Sequence, residues 1–190
     1  MGALVVTEFV SIDGVFEDPG GSENFEYGGW TFEYGRGEDG DRFKLDEIMQ
    51  SEVQLLGRVT YEGFAAAWPS REGEFADKFN AMPKYVVSST LEEPEWNNST
   101  VLKGDVPAEV AKLRQEQDGD IVVHGSARLV QTLVEHDLVD ELRLMVFPVV
   151  LGSGKRLFGE TSGKKPLRLV DSKVVGDGVA ILVYEPARDE

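Results

Sequence analysis

The sequence predicts an α/β fold: a central, mostly parallel mixed sheet, flanked by helices and finished by an antiparallel C-terminal hairpin. Three observations carry this. Short apolar runs alternate with helical patterns from Ala3 to Val134, and such alternation implies right-handed crossovers and parallel pairing. Three of those runs end in a glycine or a hydroxyl residue, at Gly57, Ser88 and Gly125. Beyond residue 140 three strand patterns follow without a helix, and Gly176-Asp177-Gly178 joins the last two as a hairpin signal. With no linker, internal repeat or low-complexity tract in 190 residues, residues 1–190 read as one domain.

Taken in order, Ala3 to Phe9 is a buried strand that leaves through Ser11-Ile12-Asp13-Gly14. Residues 17–40 are rich in glycine, acids and aromatics without periodicity, and Trp30, Phe32 and Tyr34 favour a loop packed over a ligand. Asp41 to Ser51 is helical, with Leu45, Ile48 and Met49 at helical spacing. Val53 to Leu56 is a strand and Val59 to Ala66 a short helix, followed by strands at Lys84 to Ser88 and Ser99 to Leu102. Asp105 caps a helix that has Pro107 in its first turn and ends near Asp118-Gly119. Asp120 to Val123 is a strand, and Ser126 caps a helix with Leu129, Val130, Leu133 and Val134 inward. The last strands are Glu141 to Val149, Leu167 to Val175 and Val179 to Tyr184.

Composition narrows the function. There is no cysteine, and two histidines, His124 and His136, lie too far apart in sequence to suggest zinc, so no metal site is expected. The N-terminus lacks a basic and an apolar signal region, and no apolar run reaches the roughly 18–20 residues of a membrane span. A soluble, cytoplasmic protein without membrane contact is expected. The net charge of −16 argues against nucleic acid as a partner. It does not argue against a phosphorylated small molecule, because charges beyond about 8 Å are screened while an arginine in contact with a phosphate is not.

Each glycine- or hydroxyl-terminated strand stands where a phosphate could sit. A helix start offers unpaired N–H groups and a partial positive charge, and Gly57 and Gly125 let backbone approach closely. Arg58 supplies a fork of donors suited to a phosphate monoester, with Ser88 and Ser89 beside it. Thr60 either caps its helix or touches a pyrophosphate, and Gly125-Ser126 brings a second helix start to the same ligand. Any one of these segments is also an ordinary turn or cap. Their convergence is what points to a long polyanion. Neither the Gly-x-Gly-x-x-Gly fingerprint nor a Walker motif is present.

Gly57-Arg58-Val59-Thr60-Tyr61-Glu62 resembles the Gly-Arg-x-Thr-aromatic-Glu motif of dihydrofolate reductases, and Ser88-Ser89 and Gly125-Ser126-Ala127-Arg128 follow in that fold's order. The chain is more closely similar to the C-terminal reductase domain of the bifunctional riboflavin-biosynthesis deaminase–reductase and its stand-alone relatives. That likeness runs through Ser11-Ile12-Asp13-Gly14, Leu55-Leu56-Gly57-Arg58, Val123-His124-Gly125-Ser126, Leu138-Val139-Asp140-Glu141-Leu142 and Pro148 to Phe158. The resemblance implies a dihydrofolate reductase-like fold and NADPH as hydride donor. It places Arg58, Ser88 and Ser89 at the 2′-phosphate, Thr60, Gly125, Ser126 and Ala127 at the pyrophosphate beside Gly57, and Asp13 and Gly14 beside the nicotinamide. It also implies a small-molecule substrate and a homodimer, to which the apolar Leu144-Met145-Val146-Phe147 strand contributes unless it is core.

Hydride addition to C=N or C=O needs a proton source. In dihydrofolate reductases a carboxylate opens the helix before the Gly-Arg strand, and counting back from Gly57 places Asp41 there, with Glu33 a rival and His124 a buried alternative. The expected activity is NADPH-dependent reduction of a small heterocyclic or ribosylamino compound, as in reduction of the ribosylaminopyrimidine phosphate of riboflavin synthesis. A dihydrofolate or pterin reductase and a non-catalytic NADPH-binding domain are the alternatives.

Overall fold

The computed structural model describes residues 1–187. Its strands are β1 (Leu4–Ser11), β2 (Ser51–Gly57), β3 (Lys84–Val87), β4 (Ser99–Leu102), β5 (Asp120–His124), β6 (Glu141–Phe147), β7 (Leu167–Val175) and β8 (Val179–Pro186). Its helices are α1 (Gly37–Gln50), α2 (Arg58–Ala67), α3 (Glu74–Ala81), α4 (Val106–Glu116) and α5 (Ala127–Glu135), with a 3-10 turn at Trp30–Glu33. One sheet runs through them in the order β4-β3-β2-β5-β1-β6-β8-β7. The first six positions pair in parallel, while β8 joins β6 and β7 antiparallel. The α/β class, the parallel centre and the hairpin are as the sequence predicts.

Helices cover both faces of the central strands, which is why β5 is apolar without alternation: Ile121, Val122 and Val123 are all fully buried. On one face α4 and α5 lay Val110, Leu113, Leu129, Val130 and Leu133 against Leu4, Val6, Leu55, Ile121 and Val123. On the other face α1, α2 and α3 cover two separate apolar clusters. One gathers Ile48, Leu56, Tyr61, Phe79 and Trp96; the other gathers Trp30, Met145, Phe147, Val179 and Ile181.

The structure corrects two details and decides a third between its alternatives. Helix α3 has no counterpart in the sequence reading; Phe75 and Phe79, one turn apart, pack on Trp68 and secure it. Helix α1 begins earlier and turns Gly40, Lys44, Glu47 and Ile48 inward, leaving Met49 exposed and Leu45 half-buried. The Leu144–Phe147 segment lies in β6, between β1 and β8, so it is interior sheet. The exposed strand is β7, where Leu167, Leu169, Val170 and Val174 face solvent. Among the described residues no helix is long and apolar enough to cross a membrane.

Candidate active site

Strands β2 and β5 are neighbours whose onward connections leave over opposite faces, β2 through α2 and α3, β5 through α5. Their carboxyl ends mark the switch in connection direction where open α/β sheets take ligands. Gly57 and Gly125 terminate the two strands and a short network joins them. The Gly57 N–H donates to Ser126 Oγ at 2.9 Å, and the Ser126 N–H donates to Thr60 Oγ1 at 3.0 Å. Position 125 requires glycine: φ is +57°, and a Cβ there would lie 2.7 Å from Thr60 Oγ1.

Ser126 occupies the N-cap position of α5, but its side chain makes no capping bond. Its left-handed backbone (φ +63°) turns the hydroxyl to the His124 carbonyl at 3.1 Å and to β2, so the expected Ser126 cap is absent. Gly57 has no side chain with which to cap α2. Two adjacent helices, α2 and α5, therefore start with first-turn N–H groups that no N-cap side chain claims, and both carry partial positive charge. By contrast α4 is capped as expected, with Asp105 Oδ2 accepting from the Ala108 N–H at 3.1 Å.

Arg58 follows Gly57 at the carboxyl end of β2, exposed and paired with Glu62 at 3.0 Å. Register pairing of Gly57 with Val87 brings Ser88 and Ser89 to the same end of the sheet. Ser88 is buried, and its Oγ accepts from the Thr90 and Leu91 N–H groups at 3.2 and 2.9 Å, shaping its own turn. Ser89 is exposed. The structure thus unites Gly57, Thr60, Gly125, Ser126 and Ala127 at two helix starts, with Arg58, Ser88 and Ser89 on the adjoining rim.

At the end of β1, Asp13 organises a second region. Its carboxylate accepts from Ser11 Oγ at 2.6 Å and from the Leu151 and Gly152 N–H groups at 3.1 and 2.8 Å. The Ser11 hydroxyl first, then those two amides, overcome the effect of burial and hold the carboxyl down at about 2. Gly14 supplies the left-handed turn that follows (φ +79°). Asp13 thereby ties the 148–157 loop to β1, and Lys155 and Arg156 of that loop pair with Glu17 at 3.9 Å and with Asp13 at 3.8 Å. A hollow of about 420 Å³ adjoins it, lined by Tyr27, Trp30, Glu26, Glu33, Val149 and Leu151. The aromatic loop forms one wall, held by Asp18, which accepts from the Ser22 N–H at 2.6 Å. Trp30 itself is core, stacked edge-on against Phe147.

Asp41 lies in the first turns of α1, exposed and bonded to Arg36 at 2.6 Å. Arg36 in turn lies over the Phe9 ring of β1 at 5.7 Å. His124 is enclosed between Phe64 and Phe79. Burial first, then Lys44, lower it to about 3 against the opposing pull of Glu47, so at neutral pH it is an uncharged ring without an acidic proton to give.

Sequence reasoning missed a row of buried and half-buried polar groups. Thr7, His124 and Arg143 are register partners across β5, β1 and β6. Above them Lys44 Nζ donates to Thr7 Oγ1 at 2.9 Å and pairs with Glu47, which Arg143 also reaches at 3.3 Å. Burial raises the Glu47 carboxyl, but Lys44, His124 and Arg143 outweigh it and keep it below its ordinary value. Glu8 is buried too, on the opposite side of β1. The signals were present: Gly40, Lys44 and Ile48 recur at helical spacing, and Glu8 interrupts an apolar strand.

Comparison with known proteins accords with this geometry. Residues 3–181 match the RibD C-terminal domain family. Protein YwjB of Bacillus subtilis (strain 168) is 32% identical over 172 residues, covering 90% of this chain and 91% of that protein. YyaP of the same organism is 32% identical over 151 residues, 77% and 80% of the two chains. A Shewanella sp. PV-4 structure, assigned provisionally to riboflavin biosynthesis, superposes with TM-score 0.80 at 22% identity, covering 98% of this chain and 99% of that one. A pyrimidine reductase-like protein of Corynebacterium diphtheriae gives 0.64 at 13%, covering 99% and 93%. Enterococcus faecalis dihydrofolate reductase, solved with NADP(H), gives 0.63 at 16%, covering 98% of each chain. The chain therefore belongs to the RibD C-terminal domain family and has a dihydrofolate reductase-like fold.

Proposed function

We propose that this protein is an NADPH-dependent reductase that reduces a C=N or C=O group of a small heterocyclic or ribosylamino compound. Membership of the RibD C-terminal domain family supports a reductase-type function. One observation carries the cofactor assignment: two helix starts without side-chain caps, joined through Gly57, Thr60 and Ser126 at the carboxyl ends of β2 and β5. These residues, with Gly125 and Ala127, would hold a pyrophosphate, and Arg58 with Ser88 and Ser89 a 2′-phosphate. Asp13 and Gly14 would border the nicotinamide through the loop they order. The bound dinucleotide supplies the hydride.

The chain's own residues contribute position and a proton. The hollow lined by Tyr27, Trp30 and Leu151 together with Glu26 and Glu33 is proposed as the acceptor site. Asp41 is the proposed proton source, held by Arg36 above Phe9. The active form is proposed to be a homodimer, paired through the exposed apolar strand β7.

The test is nucleotide affinity with and without the 2′-phosphate. Arg58→Ala should weaken NADPH roughly ten- to hundredfold, the range for a lost charge-assisted bond, and leave NADH nearly unchanged. Equal losses would remove the role given to Arg58. NADPH oxidation measured over ribosylaminopyrimidine, dihydrofolate and simple imines identifies the acceptor class, and turnover by none of them leaves a binding domain only. Asp41→Asn should lower turnover without changing NADPH affinity. Unaltered turnover would discard Asp41 as the acid.

A further inference from the structure

We propose that the Glu8 side chain recognises the carboxamide of the nicotinamide ring, an assignment that rests on the cofactor reading above. The backbone ladder between β1 and β5 runs from Leu4 with Ile121 to Thr7 with His124 and then stops, while β1 continues beside β6 to Ser11 and Phe147. Glu8 is the first residue of β1 past that point, so it stands where the two central strands part. The partner strand turns away there through Gly125, whose backbone amide draws the Glu8 carboxyl down. Gly125 belongs to the proposed pyrophosphate clasp, and Asp13, five residues further along the chain, belongs to the loop proposed to border the nicotinamide ring.

The chemistry of Glu8 fits an amide. The residue is only 7% exposed, and Oε1 is enclosed without any hydrogen-bond partner. A buried polar atom in that condition costs free energy until something meets it. Burial pushes the carboxyl well above the usual carboxylate range. The Gly125 amide and Lys44 pull the other way, and Glu47 adds to the rise. A neutral carboxyl offers one O–H donor and one carbonyl acceptor side by side. A primary carboxamide offers the complementary pair, a carbonyl and an N–H, so the two groups can join by two parallel hydrogen bonds. An anionic or aliphatic ligand group would leave one or both of those positions unmatched.

Binding of two probes, NADPH and 2′-phospho-ADP-ribose, which is the same molecule without the nicotinamide portion, separates this role from the site as a whole. Tryptophan fluorescence or calorimetry on the intact protein is the readout. Glu8→Leu should weaken NADPH roughly tenfold or more, and 2′-phospho-ADP-ribose by no more than about twofold. Glu8→Gln, whose amide keeps a donor beside an acceptor, should stay close to wild type with both. Retained binding of 2′-phospho-ADP-ribose also shows that the leucine variant is folded. If Glu8→Leu weakens both probes alike, or neither, Glu8 does not read the carboxamide although the cofactor site stands. If the wild-type protein binds neither probe, the cofactor reading fails and takes this assignment with it.

Discussion

Under α4 and α5 the sheet buries an apolar surface, Leu4, Val6, Leu55, Ile121 and Val123 against Leu113, Leu129 and Leu133. Under α1 the same central strands present Thr7, His124 and Arg143 to Lys44 and Glu47, and this polar row separates two apolar clusters. The first face is stabilised by area removed from water and tolerates no void. The second depends on every charge finding its partner, because a buried ion left alone costs more than the pair contributes. The apolar face holds the sheet together, and the polar face fixes where α1 sits, with Asp41 in its first turns.

The largest effect should come from breaking the polar row. Lys44→Met leaves the buried Glu47 carboxylate with Arg143 alone and should cost about 4 kcal/mol in urea unfolding. The double variant Lys44→Met/Glu47→Leu should recover most of that loss. A double as unstable as the single would mean that the two charges are not coupled. On the other face, Leu133→Ala should cost about 3 kcal/mol through a cavity, independent of any neighbouring substitution on α1.

The last effect depends on pH. His124 is depressed from 6.5 to about 3 by burial and by Lys44, with Glu47 opposing. The unfolded chain therefore takes up this proton first, so its contribution to stability is complete above pH 6.5. That contribution declines by up to about 1.4 kcal/mol per pH unit as pH falls from 6.5 toward 3. His124→Phe, placing a ring between Phe64 and Phe79, should remove this decline. Parallel stability–pH curves for wild type and variant would show that His124 is not buried in its neutral form.

What the sequence made legible follows from which signals are local. The alternation of apolar runs with helices, the closing glycines at 57 and 125, and Gly176-Asp177-Gly178 each encode a turn or crossover within a few residues, and each stands in the structure. Helix α3 was not legible, because Ser70-Arg71-Glu72-Gly73 before it reads as loop and Phe79 finds partners far along the chain, at Trp96 and His124. The inward turn of Lys44 and Glu47 was hidden for a similar reason. Charges on a helix read as solvated until an arginine two strands away, Arg143, is seen to meet them. Within the site, the glycines and Thr60 were legible from their motif, whereas the direction of the Ser126 hydroxyl depends on a left-handed backbone that no motif specifies.

The tip of the β7–β8 hairpin has a mechanical meaning. The Asp177 N–H donates to the Gly35 carbonyl at 2.7 Å, and the Gly35 N–H returns a bond to Asp177 Oδ2 at 2.8 Å. A Cβ at Gly176 would sit 2.0 Å from the Gly35 carbonyl oxygen, so backbone presses directly on backbone where the chain enters α1. The solvent-facing margin of the sheet is thus bonded directly to the segment that carries the Arg36–Asp41 pair.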